Sequence, residues 1–223
     1  MKMKKVSVRG SIVSSGDKWI YDWFGIEAVS PRDVQKALDE AEGQPVIVEI
    51  NSGGGDIFAG SEIYTTLKGY SGGVEVHIVG LAASAASVIA QAGKSKISPT
   101  ALFMIHNVSG SAYGDYRDMA HQAEVLETAN RSIAAAYVEK TGKTLEELQQ
   151  IMDHETWMDA KKAVEYGFVD EVMFAEMPVL TNGFGVLSTE TIAKMKKTVG
   201  NPQLDADFLK AKAKLNLLKI KER

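Results

Sequence analysis

The feature that most constrains the fold is a series of short apolar runs that alternate with helical patterns. The clearest run is 46–50 (Val-Ile-Val-Glu-Ile), which is β-branched, almost fully apolar and too short for a buried helix. Runs of this kind are typical of strands buried inside a parallel sheet. Further runs predict strands at residues 6–13, 74–79, 96–97, 101–105 and 169–174.

Helical patterns occupy the segments between these runs. Ser30 can cap a helix that has Pro31 in its first turn, and Thr144 can cap another with Glu147 at the capping-box position. An aromatic stretch, 14–25, predicts a turn-rich connection instead. Strands that alternate with helices favour an α/β domain with a largely parallel sheet. The predicted helices cover residues 31–42, 58–70, 115–140, 144–152 and 159–166.

The composition excludes several classes of site and partner. The 223 residues include no cysteine, so disulfides, thiolate metal ligands and a cysteine nucleophile are excluded. No apolar run approaches the roughly 20 residues of a membrane-spanning helix. The basic start, 1–5, leads into Val-Ser-Val-Arg-Gly and not into the apolar stretch of a signal peptide. Because neither pattern is found, we expect a cytoplasmic protein. The net charge of −4 also disfavours a dedicated nucleic-acid binder.

The charge is unevenly distributed along the chain. Residues 175–223 contain nine basic and five acidic side chains, whereas the rest of the chain is acidic. Two short helical patterns, 189–198 and 206–221, follow a linker-like segment at 178–185. The sequence therefore predicts an α/β domain at 1–174, followed by a linker and a basic helical C-terminal extension.

A glycine-rich segment, 51–56 (Asn-Ser-Gly-Gly-Gly-Asp), follows the strand at 46–50. Consecutive glycines leave backbone N–H groups open to a ligand, because no side chains cover them. A flexible turn or a helix-packing loop would use the same residues. A phosphate cradle is disfavoured, since the Lys-Ser/Thr of a Walker loop and the spacing of a dinucleotide fingerprint are both missing.

A serine among small residues follows the next strand, in the segment 80–87 (Gly-Leu-Ala-Ala-Ser-Ala-Ala-Ser). Ser84 has the setting of a nucleophile at a strand-to-helix turn, where larger side chains would block an approaching substrate. The structural alternative is a close-packed helix in which Ser84 and Ser87 bond to the helix backbone. Taken by itself, the segment favours the structural alternative.

A histidine and two carboxylates can complete a catalytic group with Ser84. His106 follows the apolar strand 101–105, which would hold a general base rigidly. Asp153 and Glu155 can orient the imidazole, although carboxylates just before a helix are commonly caps. The other histidines, which are not spaced as metal ligands and predict no metal site, are His77, His121 and His154.

Four segments together resemble the proteolytic subunit of the Clp protease family: 50–55, 80–85, 104–107 (Met-Ile-His-Asn) and 163–170 (Ala-Val-Glu-Tyr-Gly-Phe-Val-Asp). The resemblance covers roughly residues 8–174. It implies the spiral (ββα)-repeat fold that Clp proteases share with crotonases, with the long helix as a handle between rings. It also implies a homo-oligomeric ring, heptameric and able to stack as two rings.

The resemblance also implies a role for each site residue. Ser84 matches the nucleophile and His106 the general base, while Glu155 falls at the position of the acid. Asp153 is the alternative acid. Protein or peptide substrates follow from this assignment, and peptide hydrolysis requires no cofactor.

The family's oxyanion hole and substrate loop also have counterparts in this chain. Gly55 and Ala85 match the residues whose backbone N–H groups form the oxyanion hole. Two such donors can stabilise the developing oxyanion by several kcal/mol. The substrate-binding residues implied by the family's loop are Gly53, Gly54, Asp56 and Ile57.

The chain departs from the family pattern in four places. Glu155 replaces the usual aspartate, and Gly53 replaces the usual proline. An aromatic stretch, 14–25, stands near the start in place of the long N-terminal gate segment, and the basic segment 175–223 is additional. This combination resembles the Clp-related head maturation proteases of bacteriophages and prophages. It implies ATP-independent processing of capsid or scaffold proteins in a bacterial cell, without an AAA+ unfoldase as partner.

Three other functions fit parts of the sequence. An ordinary ATP-dependent Clp-type subunit would share all of the motifs. A crotonase-like enzyme acting on acyl-CoA would share the fold and the oxyanion donors, but it does not need Ser84 and His106 in this order. A non-catalytic assembly protein would not need to keep the serine, the histidine and a nearby acid.

Overall fold

The computed structural model describes residues 3–174. The predicted C-terminal extension at 175–223, with its linker and two helices, lies outside the described residues. The predicted domain boundary at residue 174 therefore stays a prediction. Within residues 3–174, no helix combines the length and the apolar character needed to cross a membrane.

The described residues form eight strands, seven helices and one 3-10 turn, which lies at Ala90–Ala92. The strands are β1 (Lys4–Ile12), β2 (Ala28–Val29), β3 (Val46–Gly55), β4 (Val74–Ala83), β5 (Lys94–Ile97), β6 (Leu102–Ile105), β7 (Thr156–Asp159) and β8 (Glu171–Val172). The helices are α1 (Lys18–Phe24), α2 (Pro31–Asp39), α3 (Ile57–Lys68), α4 (Ala85–Ile89), α5 (Tyr116–Thr141), α6 (Leu145–Asp153) and α7 (Ala160–Glu165).

The sheet is parallel along its main path, in the order β2-β1-β3-β4-β5-β8. β4 changes partner along its length, because residues 75–78 pair with β5 and residues 81–83 pair with β6. The carboxyl ends of β3, β4 and β6 therefore meet at one edge of the sheet. This arrangement confirms the predicted α/β class with a largely parallel sheet.

One face of β3 is buried more completely than the other. Val46, Val48 and Ile50 are 0% exposed, and each contributes roughly 1.5–3 kcal/mol to stability by its burial. Glu49 points to the opposite face, where Lys5 Nζ lies 2.5 Å from its carboxylate. The strand is thus buried on one face only, because ion pairs occupy the other.

Two segments that were predicted as connections contain regular structure. Residues 51–55 extend β3 beyond the predicted end at residue 50, since β1 continues alongside and pairs Ile12 with Gly55. The aromatic stretch 14–25 contains α1, whose seven residues are too few for a periodic signal and are not buried. β7 was not predicted either. It pairs antiparallel with β6, and its four residues are too few for a periodic signal.

The long predicted helix is confirmed as α5, with 26 residues. The Asp115 carboxylate caps its first turn, and Gly142 ends it in the left-handed conformation, with φ of 69°. Its buried residues, Ala134, Ala136 and Tyr137, all lie near its C-terminal end. Most of α5 is therefore not buried by the rest of residues 3–174.

Candidate active site

Ser84 occupies a sharp turn between β4 and α4, at the carboxyl edge of the sheet. Its φ of 55° and ψ of −126° are strained for a residue with a side chain, at a cost of about 1–3 kcal/mol. Neighbouring groups hold the turn: the Ser84 N–H donates to Met104 O at 3.1 Å, and the Ser84 carbonyl accepts from the Ser87 N–H at 2.9 Å. A serine held in such a strand-to-helix turn presents its Oγ outward, as a nucleophile requires.

Small residues around this turn are required by close packing. A Cβ on Gly54 would lie 2.7 Å from Ser84 Cβ, and a Cβ on Gly60 would lie 2.9 Å from Ala85 Cβ. β3 and α3 therefore approach the turn more closely than larger side chains allow. The predicted alternative of a close-packed helix is correct for Ser87, which is buried, whereas the Ser84 side chain faces a histidine.

His106 lies directly beside the serine. Its Nε2 is 2.8 Å from Ser84 Oγ, within the range of a general base and its nucleophile. The contact follows from the pairing of β4 with β6, because Ala83 pairs with Met104 and the next residues come together beyond both strand ends. When Ser84 donates its proton to Nε2, Nδ1 carries the other ring proton.

The two candidate acids lie in different places. Glu155 Oε2 is 4.0 Å from His106 Nδ1, longer than a hydrogen bond but close enough for an ion pair. The Trp157 indole N–H donates to the other carboxylate oxygen of Glu155 at 3.2 Å. Asp153 instead accepts a 2.8 Å hydrogen bond from the Asn107 side chain. Of the two carboxylates, Glu155 is the one that faces the imidazole.

Of the two predicted oxyanion donors, Ala85 directly follows Ser84, and Gly55 is the last residue of β3 and lines the cleft with Ser84. Ala85 is the first residue of α4, so its N–H has no partner within the helix. Gly55 has φ of 149°, and a Cβ there would lie 2.1 Å from Ile12 O, so only glycine fits. The N–H of the preceding residue, Gly54, already donates to Ser52 Oγ at 3.1 Å.

A cleft of about 250 Å³ opens beside Ser84 and His106. The side chains of Ile57, Val108 and Ile133 contribute apolar surface to its wall. The substrate-binding residues predicted from the sequence differ in exposure and in hydrogen bonding. Gly53 is exposed on β3, whereas Asp56 also caps α3 by accepting from the Ala59 N–H at 2.8 Å.

Several side chains near the site were not predicted from the sequence. Trp157 and Asn107 contact the two carboxylates, and Ser52 donates to Gly10 O at 2.6 Å beneath the glycine segment. The only local signal for the tryptophan is its position two residues after Glu155, which itself lies in the turn before β7 with φ of 44°. Within residues 3–174, no group of three histidine or acidic side chains is arranged to hold a metal ion.

Comparison with known proteins agrees with this geometry. The family described as Clp protease matches residues 35–176, which is more than half of the chain. The ATP-dependent Clp protease proteolytic subunit 1 of Chlamydia muridarum is 37% identical over 165 residues, covering 68% of this chain and 85% of the relative. The ATP-dependent Clp protease proteolytic subunit of Streptococcus mutans is 33% identical, covering 57% and 68% respectively.

A third relative, the ATP-dependent Clp protease proteolytic subunit 1 of Corynebacterium jeikeium, is 38% identical over 127 residues, with 56% of this chain and 68% of the relative covered. The matched residues include β3, β4 and β6, whose carboxyl ends surround the serine and the histidine. The extent of these matches shows that the protein belongs to the Clp protease family, as a proteolytic subunit of the serine peptidase type.

Proposed function

We propose that this protein is a serine endopeptidase in which Ser84 is the nucleophile, His106 the general base and Glu155 the acid that orients the imidazole. The observation that carries the proposal is the 2.8 Å contact between Ser84 Oγ and His106 Nε2, at a strained turn that opens into a cleft. A buried structural serine would not need a histidine at this distance. Asp153 is the alternative acid.

In the proposed reaction, Ser84 Oγ attacks the carbonyl carbon of the peptide bond while its proton passes to His106 Nε2. The carbonyl oxygen becomes an oxyanion, which the N–H groups of Gly55 and Ala85 stabilise by about 3–4 kcal/mol per donor. His106 then gives its proton to the leaving amine, and an acyl-serine remains. Water, deprotonated by the same imidazole, hydrolyses this ester and restores Ser84.

Extended substrates are proposed to bind along residues 53–57. The ladder pairing of β3 with β4 ends at Ser52 and Ala82, so residues 53–55 of β3 lie beside the serine turn without a paired strand on that edge. A peptide laid along this edge can pair with backbone groups, as in β-strand addition. Its scissile carbonyl would then lie beside Ser84.

The chemical step is proposed to be independent of ATP, because it consumes only water. The finer proposal is processing of phage or prophage capsid or scaffold proteins in the bacterial cytoplasm, without an AAA+ unfoldase. Its support is the replacement of the usual aspartate by Glu155 and the aromatic helix α1 near the start of the chain. The competing function is that of an ordinary ATP-dependent subunit, as the relatives are named.

One experiment tests these alternatives. The purified full chain is incubated with a fluorogenic peptide and with fluorescently labelled casein, without ATP, with ATP, and with ATP plus an added AAA+ unfoldase, and the rates are measured by fluorescence. We expect both substrates to be cleaved, with rates that ATP changes by less than about twofold, since no step of the triad chemistry uses a nucleotide. Pretreatment with a fluorophosphonate should stop cleavage. Cleavage that requires both ATP and an added AAA+ unfoldase would favour the ordinary subunit.

We propose a heptameric ring from the resemblance to the family, and pairing of two rings from the exposure of α5. Its apolar side chains Met119 and Val125 are 41% and 44% exposed in the single chain. Such side chains can be buried by a second subunit. We expect Val125→Asp to break the paired rings, as measured by native mass spectrometry, because a charge would be buried without a partner. Val125→Thr, which has nearly the same shape and no charge, should assemble normally. Intact double rings in Val125→Asp would exclude α5 as the contact.

A further inference from the structure

A buried chain of hydrogen bonds connects α5 to the serine turn. Tyr137 of α5 is 1% exposed, and its hydroxyl oxygen lies 2.7 Å from Ser87 Oγ. Ser87 is 0% exposed, and its Oγ lies 2.6 Å from the carbonyl oxygen of Ser84. The proposed reaction assigns no role to either hydroxyl. Tyr137 also lines the cleft beside Ser84 and His106, and the two bonds connect it through Ser87 to the residue that is proposed to react.

The direction of each hydrogen bond follows from the groups that form it. A carbonyl oxygen can only accept, so Ser87 donates its single hydroxyl proton to the Ser84 carbonyl. Tyr137 must then donate to Ser87 Oγ. Burial raises the pKa of the Tyr137 hydroxyl. The phenol therefore keeps the proton that this bond requires under the conditions in which a peptidase works.

The Ser84 carbonyl is coupled to a group on the opposite side of the turn. The carbonyl of Ser84 and the N–H of Ala85 belong to one planar trans peptide group. In a trans peptide the C=O and N–H bonds point in opposite directions, so fixing the carbonyl also fixes the N–H. The bond from Ser87 also polarises this peptide group, which strengthens the N–H as a donor.

We propose that Tyr137 and Ser87 are positioning residues that aim the Ala85 N–H at the oxyanion. They act through the Ser84 carbonyl and do not touch the substrate carbonyl themselves. The inference rests on the proposed function, since it concerns the same serine turn. It assigns the buried tyrosine of α5 to transition-state stabilisation, beyond its packing in the core.

The test uses single hydroxyl deletions in the full chain. We expect Tyr137→Phe to lower kcat for peptide hydrolysis about three- to tenfold, and Ser87→Ala to lower it about ten- to hundredfold. The upper end of this range equals the loss of kcat expected when one oxyanion donor is removed. KM should change less than about twofold, because the oxyanion forms only in the transition state. Tyr70→Phe is the matched control, since it removes a hydroxyl that donates to Gln44 O at 2.7 Å outside the cleft. It should keep the wild-type kcat.

The double variant separates positioning from packing. If Tyr137 acts through Ser87, Tyr137→Phe combined with Ser87→Ala should be no slower than Ser87→Ala alone. Two independent effects would multiply, so a multiplied loss would overturn the inference. A wild-type kcat for Tyr137→Phe would overturn it as well.

A second measurement decides the matter if Ser87→Ala does not fold. A peptide boronate forms a tetrahedral adduct with the serine that occupies the oxyanion hole. We expect Tyr137→Phe to weaken boronate inhibition about three- to tenfold with KM unchanged. Unchanged inhibition would refute the positioning role. Ser84→Ala is assayed in parallel to separate the two proposals. If Ser84→Ala keeps full activity, the proposed function is wrong. If Ser84→Ala is inactive and Tyr137→Phe has no effect, only the positioning role is wrong.

Discussion

Replacing Ser84 by alanine is expected to lower kcat for peptide hydrolysis by about 10⁴-fold or more. Without the hydroxyl, only substrate binding and the oxyanion donors remain, and neither can form an acyl intermediate. Covalent labelling by a fluorophosphonate should be lost at the same time, because the serine oxygen attacks the phosphorus of the probe. Both quantities are measured on one preparation, by a fluorogenic peptide and by mass spectrometry of the labelled protein.

The matched control for this variant is Ser61→Ala, which removes an exposed hydroxyl from α3. It should keep both the wild-type rate and the label. The melting temperature of Ser84→Ala should stay within a few degrees of wild type, since alanine has the same backbone strain at φ of 55° and leaves no cavity. Equal labelling of wild type and Ser84→Ala, or a label found on another residue, would contradict the assignment of the nucleophile.

The second large effect is expected at the acid. Glu155→Gln should lower kcat by about 10²-fold or more, because an amide cannot stabilise the imidazolium and presents the wrong hydrogen-bonding group to Nδ1. Glutamine keeps an acceptor for the Trp157 indole, so the loop should retain its conformation. Asp153→Asn should cost less than about tenfold, since its contact is with Asn107 and not with His106.

The order of these two effects identifies the acid. A larger loss for Asp153→Asn would transfer the role to Asp153, in which case the 4.0 Å contact of Glu155 is only an ion pair near the surface. Small losses in both variants would indicate a serine-histidine dyad without an acid. Glu155→Asp, which restores the residue usual in the family, should retain part of the activity, limited by its shorter reach.

Much of the fold could be predicted because its signals are local. The run 46–50 and the segment 74–79 carry enough β-branched and apolar residues to define strands without their neighbours. The positions of the carboxyl ends of these strands predicted the edge of the sheet at which reactive side chains would meet. The prediction that the glycine-rich segment 51–55 ends β3 at residue 50 was wrong, because it treated glycine as a breaker. In the structure, β1 supplies the pairing that keeps these residues in β3.

The sequence by itself determined the α/β class and, through its resemblance to the Clp protease family, indicated the two residues proposed to react, Ser84 and His106. Both follow strands whose ends are visible in the composition of a few neighbouring positions. Only the tertiary structure decided which carboxylate faces the imidazole and which hydroxyls support the serine turn. The contact between Ser87 and Tyr137 joins residues 50 positions apart, and that of Glu155 depends on the pairing of β7 with β6. Such contacts leave no local pattern, because they arise only when the core packs distant segments together.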